Sequence, residues 1–426
     1  LAGKQDYRAI LDSRIDVKSF STNGIENQMT ITLFGHGKTT KAIAAKFSGQ
    51  CQIFDDHFTE PSTDEYGNRL LPPSCFDPEQ SDVEIPSPGF PSNHPLIVKA
   101  KHVTSEYDFF KEQMPFSIWI SGTNGKTTTT QICEHLLQDK GACAGGNIGT
   151  PLAAIDEKAT IWILETSSFT FHYTKITAPD IYLLLPIKPD HLTWHGSMEA
   201  YIEAKLSVLR RMKEGSVAVV PKAFADTPTL AHIVAYENET DLAQHVGIDI
   251  DRIHFKSPFL LDAVLAACAQ KILLDTVDYA HLNTFKIDHY KIEEFHDTQG
   301  RLWVDDSKGT NVDATVEALK RYKDKQILLV LGGDDKGVDL QELFDFMKTL
   351  HVKIFAIGSN TERLASLAQK EGVWLSKCFI LEEAMKQIHA VHTKETVALL
   401  SPAAASLDQF KSYAHRGDRF KELALS

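Results

Sequence analysis

No two of the six cysteines (Cys51, Cys75, Cys133, Cys143, Cys268, Cys378) form a C-x-x-C pair; they are scattered along the chain. That scatter argues against a disulfide framework and suits a reduced, cytosolic protein. Long apolar runs are missing too. The longest, "IYLLLPI" and "ILLVLGG", are strand-sized and far short of a membrane span. No signal peptide, internal repeat or low-complexity tract is visible. Positive charge is in deficit: 44 Lys and Arg against 57 Asp and Glu leave a formal net charge of −13. A nucleic-acid or anionic-membrane partner is therefore disfavoured, and a phosphorylated substrate would need local cations and backbone N–H groups. What remains is ordinary globular composition, 43% hydrophobic and 24% charged, in 426 residues, enough for two to four domains with real cores.

The most informative stretch is Ile118–Thr130, "IWISGTNGKTTTT". A β-prone apolar run enters a small polar loop, and the helical pattern "TTTTQICEHLLQDKG" follows. Strand, glycine loop and helix is the context in which loop N–H groups and the positive helix end cradle phosphates. Gly122 and Gly125 let the backbone approach a phosphate. Thr123, Asn124 and Thr128 complete the cradle, Lys126 reaches the outer phosphates and Thr127 offers a hydroxyl to Mg²⁺. The strict G-x-x-x-x-G-K-[ST] pattern is not met, because Ile120 stands at its first glycine; the shorter G-T-N-G-K-T is.

Residues 1–28 are polar and weakly patterned. They read as an extension before Met29, or as a short helix packing on the first domain. From Met29, "MTITLFGHGKTTKAIAAKF" gives strand, Gly35-His36-Gly37 turn and helix, and the strand Cys51–Phe54 ends in Asp55-Asp56. An acid at the second strand's tip is where a ribose is held in dinucleotide-type folds, although Thr40 replaces the third glycine of that fingerprint. A tight strand–helix turn explains the pattern as well. Ser87-Pro88-Gly89 forms another rigid loop at a strand end, at the same ligand-binding edge. Further on, "ATIWILETSSF" is a strand ending in Glu165, a carboxylate suited to the Mg²⁺ side of a phosphate site. The strand Ile181–Leu185 leads to Asp190-His191, then to a helix with Lys205 between Ala204 and Leu206. His191 could ligate metal, shuttle a proton or be structural. Lys205 either snorkels or is functional, and the sequence does not decide.

G-T-N-G-K-T, G-G-N-I-G-T-P, L-E-T-S-S-F, D-H-L and A-K-L, in this order and spacing, resemble the Mur ligase family of peptidoglycan assembly. D-S-K-x-T-N, G-G-x-x-K-G and L-S-P-x-x-A-S-L-D-Q-F in the last third are similar to its D-glutamate-adding branch. The resemblance runs from about Met29 to Phe420. It implies three α/β domains: a Rossmann-like domain for the UDP-sugar (29–104), a central P-loop domain with a parallel sheet (105–287) and a doubly wound Rossmann-like domain (288–426). Strands are expected near Leu302–Asp305, Ile327–Leu331, Lys353–Ile357 and Val397–Leu400, and a helix is expected to start near Leu407.

The implied reaction is ATP-dependent addition of D-glutamate to UDP-N-acetylmuramoyl-L-alanine through an acyl phosphate. By resemblance, Thr127 and Glu165 hold one Mg²⁺, and His191 holds a second with Lys205, which carries a carbamate. Lys291 and Asp306 meet ATP. Lys38, Thr39, Asp55, Gly89, Asn147 and Ser167 line the UDP-sugar site. Lys308, Thr310, Lys336, Ser406 and Tyr413 meet D-glutamate. A cytoplasmic monomer is expected, with no nucleic-acid or membrane partner. The chain departs from the family pattern in places. Lys291 stands for Arg, which loses a bidentate phosphate grip. Phe259 and Asp262 stand where Asn is usual on the adenine side, Tyr413 replaces Phe, and Asp305 replaces an Asn before D-S-K. Folylpolyglutamate synthetase shares a similar core, but it lacks the uridine domain and "SLDQF" argues against it. A P-loop phosphotransferase would need no amino-acid acceptor.

Overall fold

In the computed structural model, which describes residues 29–426, short apolar runs become the strands of three sheets. The readings of residues 1–28 lie outside the described residues. The first sheet has the spatial order Ser62–Thr63, Arg69–Leu71, Cys51–Phe54, Ile31–Phe34, Val83–Pro86, and only its two-residue edge strand is antiparallel. The second is parallel throughout: His232–Tyr236, Val217–Pro221, Ile181–Leu184, Phe116–Ser121, Ile161–Glu165, Ala142–Gly146. The third runs Glu293–His296, Leu302–Asp305, Thr396–Leu400, Gln326–Leu331, Val352–Ile357, Leu375–Phe379, with only the first of these antiparallel.

Alternation along each strand decides which core a side chain joins. Ile118 and Ile120 face one side of the second sheet and pack with Ile132, Leu136 and the helix Phe259–Leu274. That helix is buried on nearly all sides, and its run Ala263–Ala269 is small enough to lie against the helix Lys126–Leu137. Trp119, between the two isoleucines, faces the other way. It shares a core with Leu164 and Tyr182, and with Ile31, Leu33 and Ile53 of the first sheet. Phe34, one residue on, points to a separate aromatic cluster with Phe54 and Phe76. Because that shared core joins the first two sheets, they form one compact unit that ends at Phe285, and residues 286–426 form a second.

In the second unit Trp303, Leu328, Val330, Phe355 and Phe420 make the core. The edge strands Glu293–His296 and Leu375–Phe379 have no counterpart in the sequence reading. Their side chains are largely half-buried or exposed, so their apolar signal is weak. The expected helix near Leu407 is corrected. Residues 407–409 form a turn, in which Gln409 and Phe410 N–H groups donate to the Ser406 carbonyl. The helix begins at Tyr413, where the Ser412 hydroxyl accepts from the His415 N–H at 3.1 Å and so supplies a strong N-cap.

Candidate active site

The loop 122–125 joins the central strand Phe116–Ser121 to the helix Lys126–Leu137, with Gly125 left-handed at its cap. Two glycines are required here. A Cβ on Gly122 (φ 140°) would lie 2.5 Å from the Leu185 Cβ, and one on Gly125 (φ 84°) would lie 2.3 Å from an Asp262 oxygen. Thr123 fixes the loop by donating to the Lys188 carbonyl at 3.0 Å. Lys126 Nζ donates to the Gly122 and Thr123 carbonyls at 3.0 and 2.6 Å, which holds the ammonium over the loop. Thr127 is half-buried and Thr128 buried. Asp262, one of the departures from the family pattern, lies at this loop, with Thr129 Oγ1 donating to it at 3.3 Å.

Glu165 ends the strand beside Ile120, so pairing in the sheet brings it to the loop. It is 3% exposed. Its Oε1 accepts from Asn147 Nδ2 at 2.6 Å, while Oε2 is buried without a hydrogen-bond partner among the described residues. An unpartnered buried carboxylate oxygen beside a phosphate-type loop suits a hard divalent cation. Among the described residues, no three or more His, Cys, Asp or Glu side chains converge as a metal site, so the rest of a coordination shell would come from other donors. Ser167 spends its hydroxyl as the N-cap of the helix Ser168–Tyr173, accepting from the Thr170 N–H at 3.1 Å.

Lys205 is 1% exposed, and its Nζ reaches the Gly122 carbonyl at 2.9 Å and stands 4.7 Å from the Tyr201 ring. Burial, with the nearby Lys126 cation, holds its pKa well below that of an ordinary lysine. His191 is half-exposed and left-handed (φ 53°), with Nε2 3.5 Å from Asp190 and its ring 4.8 Å from that of Phe169. His195 is among the residues that escaped the sequence reading. It shares a hydrogen bond of 2.9 Å with Ser168 Oγ and stacks on Phe169. Burial, then the charges of His191, Lys205 and His172, hold it down to about 4. Only its spacing of four from His191 in a short helix could have signalled it.

A cavity of about 410 Å³ opens at the tips of the first sheet. Asp55 and Gly89 line it, together with His36, His57 and Ser87. Lys38 and Thr39 are not among its lining residues; they start the helix Lys38–Lys46, with Lys38 exposed. Asn147 and Ser167 lie with Glu165 at the P-loop. Asp55 accepts from the His36 N–H at 2.6 Å, the His57 N–H at 2.9 Å and His57 Nδ1 at 2.5 Å. Burial alone would raise its carboxyl, but those donors bring it below the usual range.

In the second unit, Lys291 sits between left-handed Tyr290 and Ile292, its Nζ 3.2 Å from Asp288. Asp306 accepts from Ser401 Oγ at 2.7 Å and the Ile292 N–H at 3.3 Å, and burial pushes it up to about 8. Lys308 Nζ stands 5.7 Å from the Tyr413 ring; Thr310 and Lys336 are exposed and Ser406 is buried. Arg416, 1% exposed, collects these loops: it donates to Ser307 Oγ at 3.0 Å, the Ser307 carbonyl at 2.9 Å and the Ala404 carbonyl at 3.1 Å.

Residues 120–254 match the family described as Mur ligase middle domain. A UDP-N-acetylmuramoylalanine--D-glutamate ligase of Campylobacter jejuni (strain 81-176) is 58% identical, covering 92% of this chain and 99% of that protein. The ligase of the same name from Helicobacter pylori (strain HPAG1) is 44% identical, over 93% and 100%. The fold is similar to the MurF ligase of Thermotoga maritima solved with ADP (TM-score 0.56, 19% identity, 81% of this chain and 88% of that one). It is also similar to the MurC ligase of that organism (TM-score 0.53, 14% identity, 92% and 98%). The chain belongs to the Mur ligase family, on the branch of the UDP-N-acetylmuramoylalanine--D-glutamate ligases.

Proposed function

We propose that this chain joins the amine of D-glutamate to the carboxylate of UDP-N-acetylmuramoyl-L-alanine, at the expense of ATP, in peptidoglycan precursor synthesis. The observation that carries this reading is the 58% identity across 92% of the chain to a ligase of that name. The sugar carboxylate oxygen attacks the γ-phosphorus, the bond to ADP breaks, and an acyl phosphate forms. The D-glutamate nitrogen then attacks the acyl carbon, phosphate leaves with that oxygen, and the nitrogen sheds a proton.

Two polyanions must meet in the first step, so charge neutralisation is the main task. Lys126 and the N–H groups at the start of the helix Lys126–Leu137 supply it from the protein. Thr127 and Glu165 would hold one Mg²⁺, and His191 with a carbamylated Lys205 a second; what such ions would supply when bound is Lewis-acid withdrawal of charge from the phosphate oxygens. The depressed pKa of Lys205 supports the modification. A neutral Nζ attacks CO₂, the C–N bond forms and one proton leaves; the product is an anionic oxygen donor of the kind Mg²⁺ takes. The first-sheet cavity receives the UDP moiety, with Asp55 and Gly89 at its wall. Lys291 and Asp306 serve ATP, and Lys308, Thr310, Lys336, Ser406 and Tyr413 serve D-glutamate. The functional division is 29–104, 105–287 and 288–426, in a cytoplasmic monomer.

The chemistry is tested by labelling the sugar carboxylate with ¹⁸O. The acyl-phosphate route delivers one labelled oxygen to inorganic phosphate. Unlabelled phosphate, with amide formed, would overturn it.

A further inference from the structure

Lys336 is left-handed (φ 50°), a conformation disfavoured for a residue with a Cβ. Its loop is held by the segment that opens the helix Thr361–Glu371. The Asp335 carboxylate, 8% exposed, accepts from Arg363 Nη1 at 2.7 Å, Asn360 Nδ2 at 2.7 Å and the Gly337 N–H at 3.0 Å. Arg363 Nη2 also donates to the Val338 carbonyl. Asn360 Oδ1 accepts from the Gly333 N–H at 3.0 Å, and Ser359 Oγ donates to the Gly333 carbonyl at 3.1 Å. Both ends of the Lys336 loop are thus tied to one short segment.

The same segment reaches the Ser406 side. The Ser359 N–H donates to Asp408 Oδ2 at 2.8 Å, and Asp334 and Ala405 exchange two backbone bonds at 3.0 and 2.9 Å. We propose that Asp335, Asn360 and Arg363 are positioning residues that fix the span between Lys336 and Ser406, and thereby select an amino acid whose two carboxylates lie a glutamate's length apart. This rests on the reading of Lys336 and Ser406 given above. A lysine ammonium is a point charge on a flexible stem. Its placement over one carboxylate comes from the loop beneath it, and an ion pair stripped of one partner leaves the other charge uncompensated.

The test is steady-state kinetics of full-length R363A, R363K, D335N and K336A, with D-glutamate, D-aspartate, ATP and the UDP-sugar each varied, alongside thermal unfolding. D335N removes the negative charge and replaces one of the two acceptor oxygens, shared among Asn360, Arg363 and the Gly337 N–H, by a donor. R363A and D335N are expected to raise the D-glutamate KM about 5- to 50-fold, and to keep kcat and the other KM values within about twofold. They should also lower the preference for D-glutamate over D-aspartate, and R363K should recover part of both effects. If K336A raises the D-glutamate KM while R363A and D335N leave it and the preference unchanged, the positioning role is overturned. An equal rise in the ATP KM overturns it too, as general destabilisation. If K336A itself leaves the D-glutamate KM unchanged, the reading of the pocket fails, and this proposal with it.

Discussion

Lys126, Lys205 and Asp306 are each set by their surroundings more than by their residue type. Lys126 lies over the loop carbonyls that a nucleotide's phosphates would approach. Its cation matters most as charge moves to the leaving ADP, so Lys126→Ala should lower kcat by about two orders of magnitude or more; near-normal turnover would remove it from the mechanism. For Lys205, replacement by alanine should abolish most activity, and high concentrations of bicarbonate or a small carboxylic acid should restore part of it. An unmodified lysine in well-resolved electron density under CO₂-replete conditions, from fully active enzyme, would sink the carbamate. Asp306 makes a pH prediction. Its carboxyl rises from 3.8 to about 8 on folding, through burial, so the folded state holds the proton more tightly than the unfolded chain. Its contribution is full below about 4 and is lost as pH rises toward 8. Asp305 beside it, raised to about 6 chiefly by burial, has the same sign. The chemical-denaturation midpoint of the second unit should therefore fall between pH 5 and pH 8.5, and Asp306→Asn should fall less. An identical fall in both would contradict the buried, protonated carboxyl.

At the scale of single elements, the helix Tyr413–Leu425 depends on one hydroxyl. Ser412→Ala removes the cap and should cost about 0.5–2 kcal/mol of stability. Because Tyr413 is the first residue of that helix, the D-glutamate KM should rise more than the ATP KM; equal changes would mean that only stability was lost. This helix also shows where sequence reading fails. The strands Cys51–Phe54 and Leu302–Asp305 coincide with their expected limits, because they are apolar runs bounded by turn residues. The start expected near Leu407 was misplaced because "SLDQF" offers a serine cap of its own, and only the tertiary fold shows that the turn at 407–409 stops there. Lys126 and Glu165 could be singled out as candidates because a loop motif and a strand tip have local signatures. Lys205 was singled out too, but whether it snorkels or is buried stayed open, because only the packing of its helix beneath the loop shows that the amine is desolvated. The bracing of the Lys336 loop by Asn360 and Arg363 joins residues 25 and 28 positions from Asp335, a pairing with no local trace.

For the molecule as a whole, an overall charge of −13 must coexist with anionic substrates. It does so because the cations and N–H groups that would meet them are local: Lys126 over its loop in the first unit, Lys308 and Lys336 in the second. Among the described residues no helix is long and apolar enough to cross a membrane. The central claim is that ATP is consumed only to join these two substrates. Phosphate release should be followed with ATP and Mg²⁺, with and without UDP-N-acetylmuramoyl-L-alanine, against a panel of D- and L-amino acids. The account predicts sustained release only when the UDP-sugar and D-glutamate are both present, with L-glutamate and D-aspartate far poorer. Release that needs neither, or that L-glutamate supports equally well, would contradict it.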